Sequence, residues 1–290
     1  SLPYNIPEVL LPPQVGSGCS CAYYPPSSTR DGSSVLARNL DFSTGSLLDV
    51  LGLSGQPSAP PHVSQPYLIK SRPDKGFPTL TMVYFDLLCA CLDGINSEGL
   101  TIALLQDSES VAANEVGSQQ GAGAQEALLP KLILENCATV DDAKVMFLNT
   151  KRAFMEPTHY IVADPSGAAT VVEFSKYGSI HFSDIGDGPL CVTNHLLFEH
   201  DATSSESLME SRSRLEKLQN AQSRSSLFDR RDIRAAHEAV HQVAPLADSP
   251  VRTIWTSIWD MDQRQLEIDL YLGESAETGV RRSETLEFSL

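Results

Sequence analysis

The sequence predicts an α+β fold in which two mainly antiparallel β-sheets stack between outer layers of helix. Three observations predict it. Strand-like runs occupy both ends of the chain and its middle. Helical patterns fall into two separate blocks, each roughly a helical pair. Short turns rich in Asp and Gly join neighbouring strand runs, as antiparallel pairing requires.

Taken in order, residues 1–18 carry four prolines and end in Gly-Ser-Gly, which reads as an arm or pro-segment. Residues 19–290 form the folded domain, since no internal repeat or shift in composition divides them. Cys19 to Tyr24 makes a strand that Pro25-Pro26 stops, and Val35 to Phe42 returns beside it after the turn at Asp31-Gly32. Residues 43–66, rich in Ser, Gly and Pro, read as a long loop over the site. Residues 67–72 and 79–92 read as strands, Asp93-Gly94 as a turn, and Leu100–Leu105 as a buried strand. A second polar loop spans 107–123. A helix over about 125–137 follows, then another that Thr139 caps with Asp142 three residues on. His159–Ala163 and Ala169–Phe174 form a hairpin about the turn 164–167, with further strands at 179–182 and 191–194. Helices are expected over 205–221 and 230–243, then strands over 253–260, 265–272 and 284–289.

Composition narrows the function. The formal net charge of −16 over 290 residues argues against non-specific binding to nucleic acid or an anionic membrane. No apolar run reaches the ~18 residues of a spanning helix. The first residues lack the basic and apolar regions of a signal peptide. A cytoplasmic setting is slightly favoured, and secretion would need a signal already removed. Six cysteines are too few for a disulfide scaffold of this length.

The chemistry is read from the first hairpin. A thiol of reference pKa ~8.5 needs a base near neutral pH. An α-amine of reference pKa ~7.7–8.0 could serve, and on an N-terminal cysteine it sits on the nucleophile's own residue. The expectation is that the Gly18–Cys19 bond is cut by the protein itself, leaving Cys19 as the new N-terminus. Arg38 and Asp41, near the end of the return strand, are expected to form a charge pair that holds Cys19.

Cys19-Ser20 with Arg38-Asn39-Leu40-Asp41-Phe42 resembles the N-terminal nucleophile (Ntn) hydrolases of the linear-amide type. These include choloylglycine hydrolases, penicillin V acylases, acid ceramidase and the branch around acyl-CoA:isopenicillin N acyltransferase. The segments Asp93–Leu100, His159–Tyr160 with Glu173–Phe174, Val192–His195 and Ser211-x-x-Arg214 resemble further motifs of that group, in the same order. The resemblance implies a four-layer αββα sandwich. It implies Cys19 as nucleophile, Arg38 and Asp41 as its positioning residues, and Arg214 as an active-site arginine. Asn194 would be the side-chain oxyanion donor and Gln106 a main-chain one. It implies a self-processing cysteine amidohydrolase that works through a thioester, without cofactor or metal, on a small-molecule N-acyl amide. An acyltransferase is the alternative, and homo-oligomers are common in the group.

Two rival patterns stand beside this reading. His237-Glu238-Ala239-Val240-His241 is His-Glu-x-x-His on an expected helix, the zinc-peptidase pattern, though no third ligand follows at a recognised spacing. Cys19-x-Cys21 and Cys89-x-Cys91 would place thiols on shared strand faces, and are read as core. A non-catalytic binding protein on the same fold is the third class.

Overall fold

The structure, a computed structural model, describes residues 18–45, 66–83, 90–107, 123–152, 157–175, 179–198, 206–243, 251–275 and 277–290. The expected arm, apart from Gly18, which opens the first strand, and the greater part of both expected loops lie outside the described residues.

Among the described residues, two seven-stranded antiparallel sheets carry the fold. The first contains β1 (Gly18–Tyr24), β2 (Val35–Ser43), β10 (Leu190–Val192), β11 (Val251–Asp260), β12 (Gln265–Ser275), β13 (Gly279–Arg282) and β14 (Leu286–Ser289). Its order is β10-β1-β2-β11-β12-β13, with β14 also paired to β12. The second runs in order through β3 (Tyr67–Ser71), β4 (Thr79–Val83), β5 (Asp93–Asn96), β6 (Thr101–Gln106), β7 (Thr158–Ala163), β8 (Ala169–Phe174) and β9 (Ile180–Asp184).

Helices cover the outer faces. On the second sheet lie α1 (Leu128–Asn136) and α2 (Val140–Asn149), where Phe147 meets Tyr160 and Phe174. On the first lie α3 (Glu206–Gln222) and α4 (Arg230–Glu238), which bury Leu218, Ile233 and Ala236 against Ala22, Tyr24 and Ala37. The larger core includes the inter-sheet space, with Leu36, Leu40, Ile95, Trp255 and Trp259 among its members. The α+β sandwich expected from the sequence is therefore the observed architecture, and α2 starts at Thr139 through a full capping box with Asp142.

Several boundaries differ from expectation for local reasons. The strand expected over 79–92 stops at Val83, and residues 84–89 are not described. Asp93-Gly94 is not a turn but the start of β5. Gly94 is needed because a Cβ there would lie 2.7 Å from the Leu80 carbonyl oxygen and 2.8 Å from Thr81 Cγ2. The turn comes later, at Gly99, where φ is +88° and a Cβ would meet Pro165 at 2.5 Å. The helix expected over 230–243 ends at Glu238. Beyond it the main chains of Gln242 and Thr253 hydrogen-bond, and Thr253 Oγ1 accepts from the Gln242 N–H, which draws the segment toward β11. Strand β13 was not expected at all. Its Arg282 binds Asp269 on β12 and donates to the Thr253 carbonyl at 2.7 Å.

Candidate active site

The β1–β2 register builds the site. Gly18 pairs with Asp41, Cys19 with Leu40 and Cys21 with Arg38. Side chains alternate between faces along a strand, and directly paired residues share a face. Cys19, Cys21, Arg38 and Leu40 therefore point between the sheets. Ser20, Asn39 and Asp41 point outward, toward α3 and α4.

This corrects the expected Arg38–Asp41 pair. Three residues apart on one strand, the two side chains lie on opposite faces, and each has its own partner. Arg38 Nη1 is 2.5 Å from Asp93 Oδ1 of the second sheet, both side chains fully buried. Its Nη2 donates to Cys19 Sγ at 3.3 Å and to the Leu104 carbonyl at 2.8 Å. Asp41 accepts from Thr253 Oγ1 at 2.5 Å through Oδ1. Its Oδ2 lies 3.7 Å from Arg214 Nη1 and has no hydrogen-bond partner among the described residues. Burial pushes the Asp41 carboxyl up to about 6, against the pull of Arg214 and the Thr253 bond.

Cys19 is 3% exposed and held at both ends of its backbone. Its N–H donates to Asn194 Oδ1 at 2.6 Å, and its carbonyl accepts from Arg214 Nη1 at 2.5 Å. Arg214 also donates to Ser20 Oγ at 2.9 Å and to Asn194 Oδ1 at 2.9 Å. Asn194 Nδ2 donates to the Gln106 carbonyl at 2.7 Å, so the Gln106 group that meets the site in this structure is an acceptor. Asn194 thus bridges the two sheets. Gly18 fits closely: a Cβ there would lie 3.1 Å from Asp41 Oδ2 and 3.2 Å from Arg214 Nη2.

One turn of α3 supports Asn194. Ser211 and Arg214, three residues apart, share a helix face. Ser211 Oγ accepts the Asn194 N–H at 2.8 Å and meets His195 Nδ1 at 2.9 Å. Burial is the main cause that holds His195 down at about 4, so the ring is neutral near pH 7. From the second sheet, Glu173 Oε1 accepts the Leu197 N–H at 2.5 Å.

All seven residues singled out by sequence (Gly18, Cys19, Arg38, Asp41, Gln106, Asn194 and Arg214) come together here. Sequence reasoning missed Asp93 and Thr253 and gave Ser211 no role. The available signal for Asp93 was an acidic residue set between the apolar Ala90–Leu92 and Ile95.

Among the described residues the rival patterns do not assemble. His241 lies past the end of α4, and its Nε2 is 2.8 Å from Thr256 Oγ1. His237 is fully buried, its ring nitrogens have no hydrogen-bond partner among the described residues, and burial pushes it down to about 3. Cys21 and Cys91 sit in the main apolar core, where burial pushes both thiols up. Cys89 lies outside the described residues.

The sequence model of the family described as acyl-coenzyme A:6-aminopenicillanic acid acyl-transferase matches residues 28–276. No curated protein matches the sequence. Among solved structures, a mutant of the conjugated bile acid hydrolase from Clostridium perfringens is similar, with a TM-score of 0.65 at 13% identity over 94% of this chain and 97% of that one. Penicillin V acylase from Agrobacterium tumefaciens gives 0.56 at 14% identity, over 91% and 85%. The Caenorhabditis elegans ortholog of N-acylethanolamine-hydrolyzing acid amidase gives 0.54 at 13% identity, over 94% and 100%. At these identities the likeness is one of fold.

Proposed function

Because the chain belongs to the acyl-coenzyme A:6-aminopenicillanic acid acyl-transferase family, we propose that it is a self-processing cysteine amidohydrolase. Its substrate class is a small-molecule N-acyl amide with a linear, non-peptide C–N bond. The observation that carries this reading is the environment of Cys19. Its sulfur is bound by Arg38, its N–H by Asn194, and the buried Asp41 Oδ2, which has no hydrogen-bond partner among the described residues, lies beside Gly18. The names of the structural neighbours support the substrate class: a conjugated bile acid hydrolase, a penicillin V acylase and an N-acylethanolamine-hydrolyzing amidase.

In maturation the Cys19 thiol adds to the Gly18 carbonyl carbon. The Gly18–Cys19 C–N bond breaks, the nitrogen takes up a proton, and a thioester joins Gly18 to the Cys19 sulfur. Water then hydrolyses the thioester, freeing the Gly18 carboxylate and the thiol. The new α-ammonium is received by Asp41 Oδ2 and Asn194 Oδ1. In turnover the α-amine takes the thiol proton, and the thiolate attacks the substrate carbonyl. Asn194 Nδ2 turns from the Gln106 carbonyl to the oxyanion, with the Gln106 main chain as its neighbour. The departing amine takes its proton from the α-ammonium, and water resolves the thioester.

The family's name favours a second reading, in which an amine instead of water takes the acyl group. It shares every step up to the thioester.

Intact mass of the wild type beside Cys19→Ala tests the proposal. The wild type is expected to lose the residues before Cys19, leaving 272, and the variant to remain whole. A wild type that stays whole through prolonged incubation overturns the self-processing account.

A further inference from the structure

Asp93 is fully buried and surrounded by donors. Its Oδ1 accepts from Arg38 Nη1 at 2.5 Å and from Trp255 Nε1 at 3.3 Å. Its Oδ2 accepts from Ser257 Oγ at 2.6 Å and from Trp259 Nε1 at 3.0 Å. Trp255, Ser257 and Trp259 alternate along β11 and so share its inner face, and Ser257 is paired with Arg38 across β2. Asp93 comes from β5, on the opposite sheet. Four donors from one sheet thus converge on a carboxylate from the other.

Such an arrangement is costly as mere scaffolding, because an ion pair taken out of water is often no better than apolar packing. Its placement gives it a use. The guanidinium that Asp93 holds reaches Cys19 Sγ with its other nitrogen, Nη2. Resting on the reading of Cys19 as nucleophile, we propose that Asp93 is a positioning residue for the reaction. It fixes the Arg38 guanidinium against the Cys19 sulfur and offsets the charge that the sulfur meets. Without Asp93 the thiol would face an uncompensated cation. Without Arg38 it would face an uncompensated carboxylate. Among the described residues, the other ionisable groups around it are Cys21 on the same strand face, and Asp41 and Arg214 on the outer face of the sheet.

The test needs no substrate. Alkylation by iodoacetamide at pH 7 is followed by peptide mass at Cys19 in four chains: wild type, Asp93→Asn, Arg38→Gln and the double variant. Thiolate is the reacting form, and its intrinsic nucleophilicity falls as it becomes easier to form. A tenfold gain in thiolate therefore gives a net rise of roughly threefold. Asp93→Asn is expected to react about threefold faster than wild type, on that same relation. Arg38→Gln is expected to be the slowest, and the double variant to fall between it and wild type.

An unchanged rate in Asp93→Asn, or equal rates in Arg38→Gln and the double variant, overturns the proposal. The second comparison stands even where Asp93→Asn fails to fold, since the double variant carries no unpaired buried charge. A purely architectural Asp93 would lower the melting temperature without reordering these rates. Failure of the nucleophile reading is seen separately, as Cys19→Ala that still matures.

Discussion

Gly18 is confined by space and not by backbone angle. A methyl group there would press on Asp41 Oδ2 at 3.1 Å, Arg214 Nη2 at 3.2 Å and Asp41 Cβ at 3.3 Å. Asp41 and Arg214 both lie beside the Gly18–Cys19 bond, so any yielding moves groups proposed to act on it. Gly18→Ala is expected to slow self-cleavage on the order of tenfold, since small displacements near reacting atoms are expensive. A time course of intact mass measures it, and a rate equal to wild type would show that the pocket gives way harmlessly. The sequence marks Gly18–Cys19 as the candidate bond because an N-terminal cysteine would carry nucleophile and base on one residue. It misgroups Arg38 with Asp41. Spacing along a chain says that two residues are near, whereas strand alternation decides that they face apart. Asp93 escaped because its role exists only across the gap between sheets.

At the scale of elements, α3 is the part on which the site depends most. Its Ser211 holds the Asn194 main chain and its Arg214 holds the Cys19 carbonyl and Asn194 Oδ1. Ser211→Ala would leave the buried Asn194 N–H without its acceptor, a loss of about 1–3 kcal/mol. Self-cleavage is expected to slow on the order of tenfold, with Ser211→Thr restoring most of it by returning the hydroxyl. Equal rates in the Ala and Thr variants would show that the hydroxyl is not what positions Asn194. The helix itself was visible in the sequence, as were the two central hairpin strands, whose apolar runs are long. The α2 start was visible too, because a capping box is a local device. The α4 end was not, because the Gln242–Thr253 pairing that stops it is tertiary. That one error is what made His237 and His241 look like a ligand pair.

Over the whole molecule, buried titratable groups set the response to acid. His237 is neutral in the fold, held down at about 3, against ~6.5 in an unfolded chain. Between those values the unfolded chain binds a proton that the folded one refuses. Stability from this residue is therefore full above pH ~6.5 and lost as pH falls. The loss between pH 7 and pH 5 is about 2 kcal/mol. Asp41 has the opposite sign: held up at about 6 against ~3.9 unfolded, it penalises the fold increasingly as pH rises through that window. His237→Leu is expected to flatten the acid side of the melting curve, so that its drop between pH 7 and pH 5 is smaller than in wild type. An identical drop would mean that His237 does not govern acid sensitivity.

The two indole groups bound to Asp93 are the only tryptophans in the chain. The consequence is optical. Emission excited at the tryptophan band arises entirely from the two indoles that donate to Asp93, so the protein carries a native fluorophore pair one ion pair away from the Cys19 sulfur. The proposed maturation, and occupancy near the sulfur, become signals that can be followed in a cuvette without any added label.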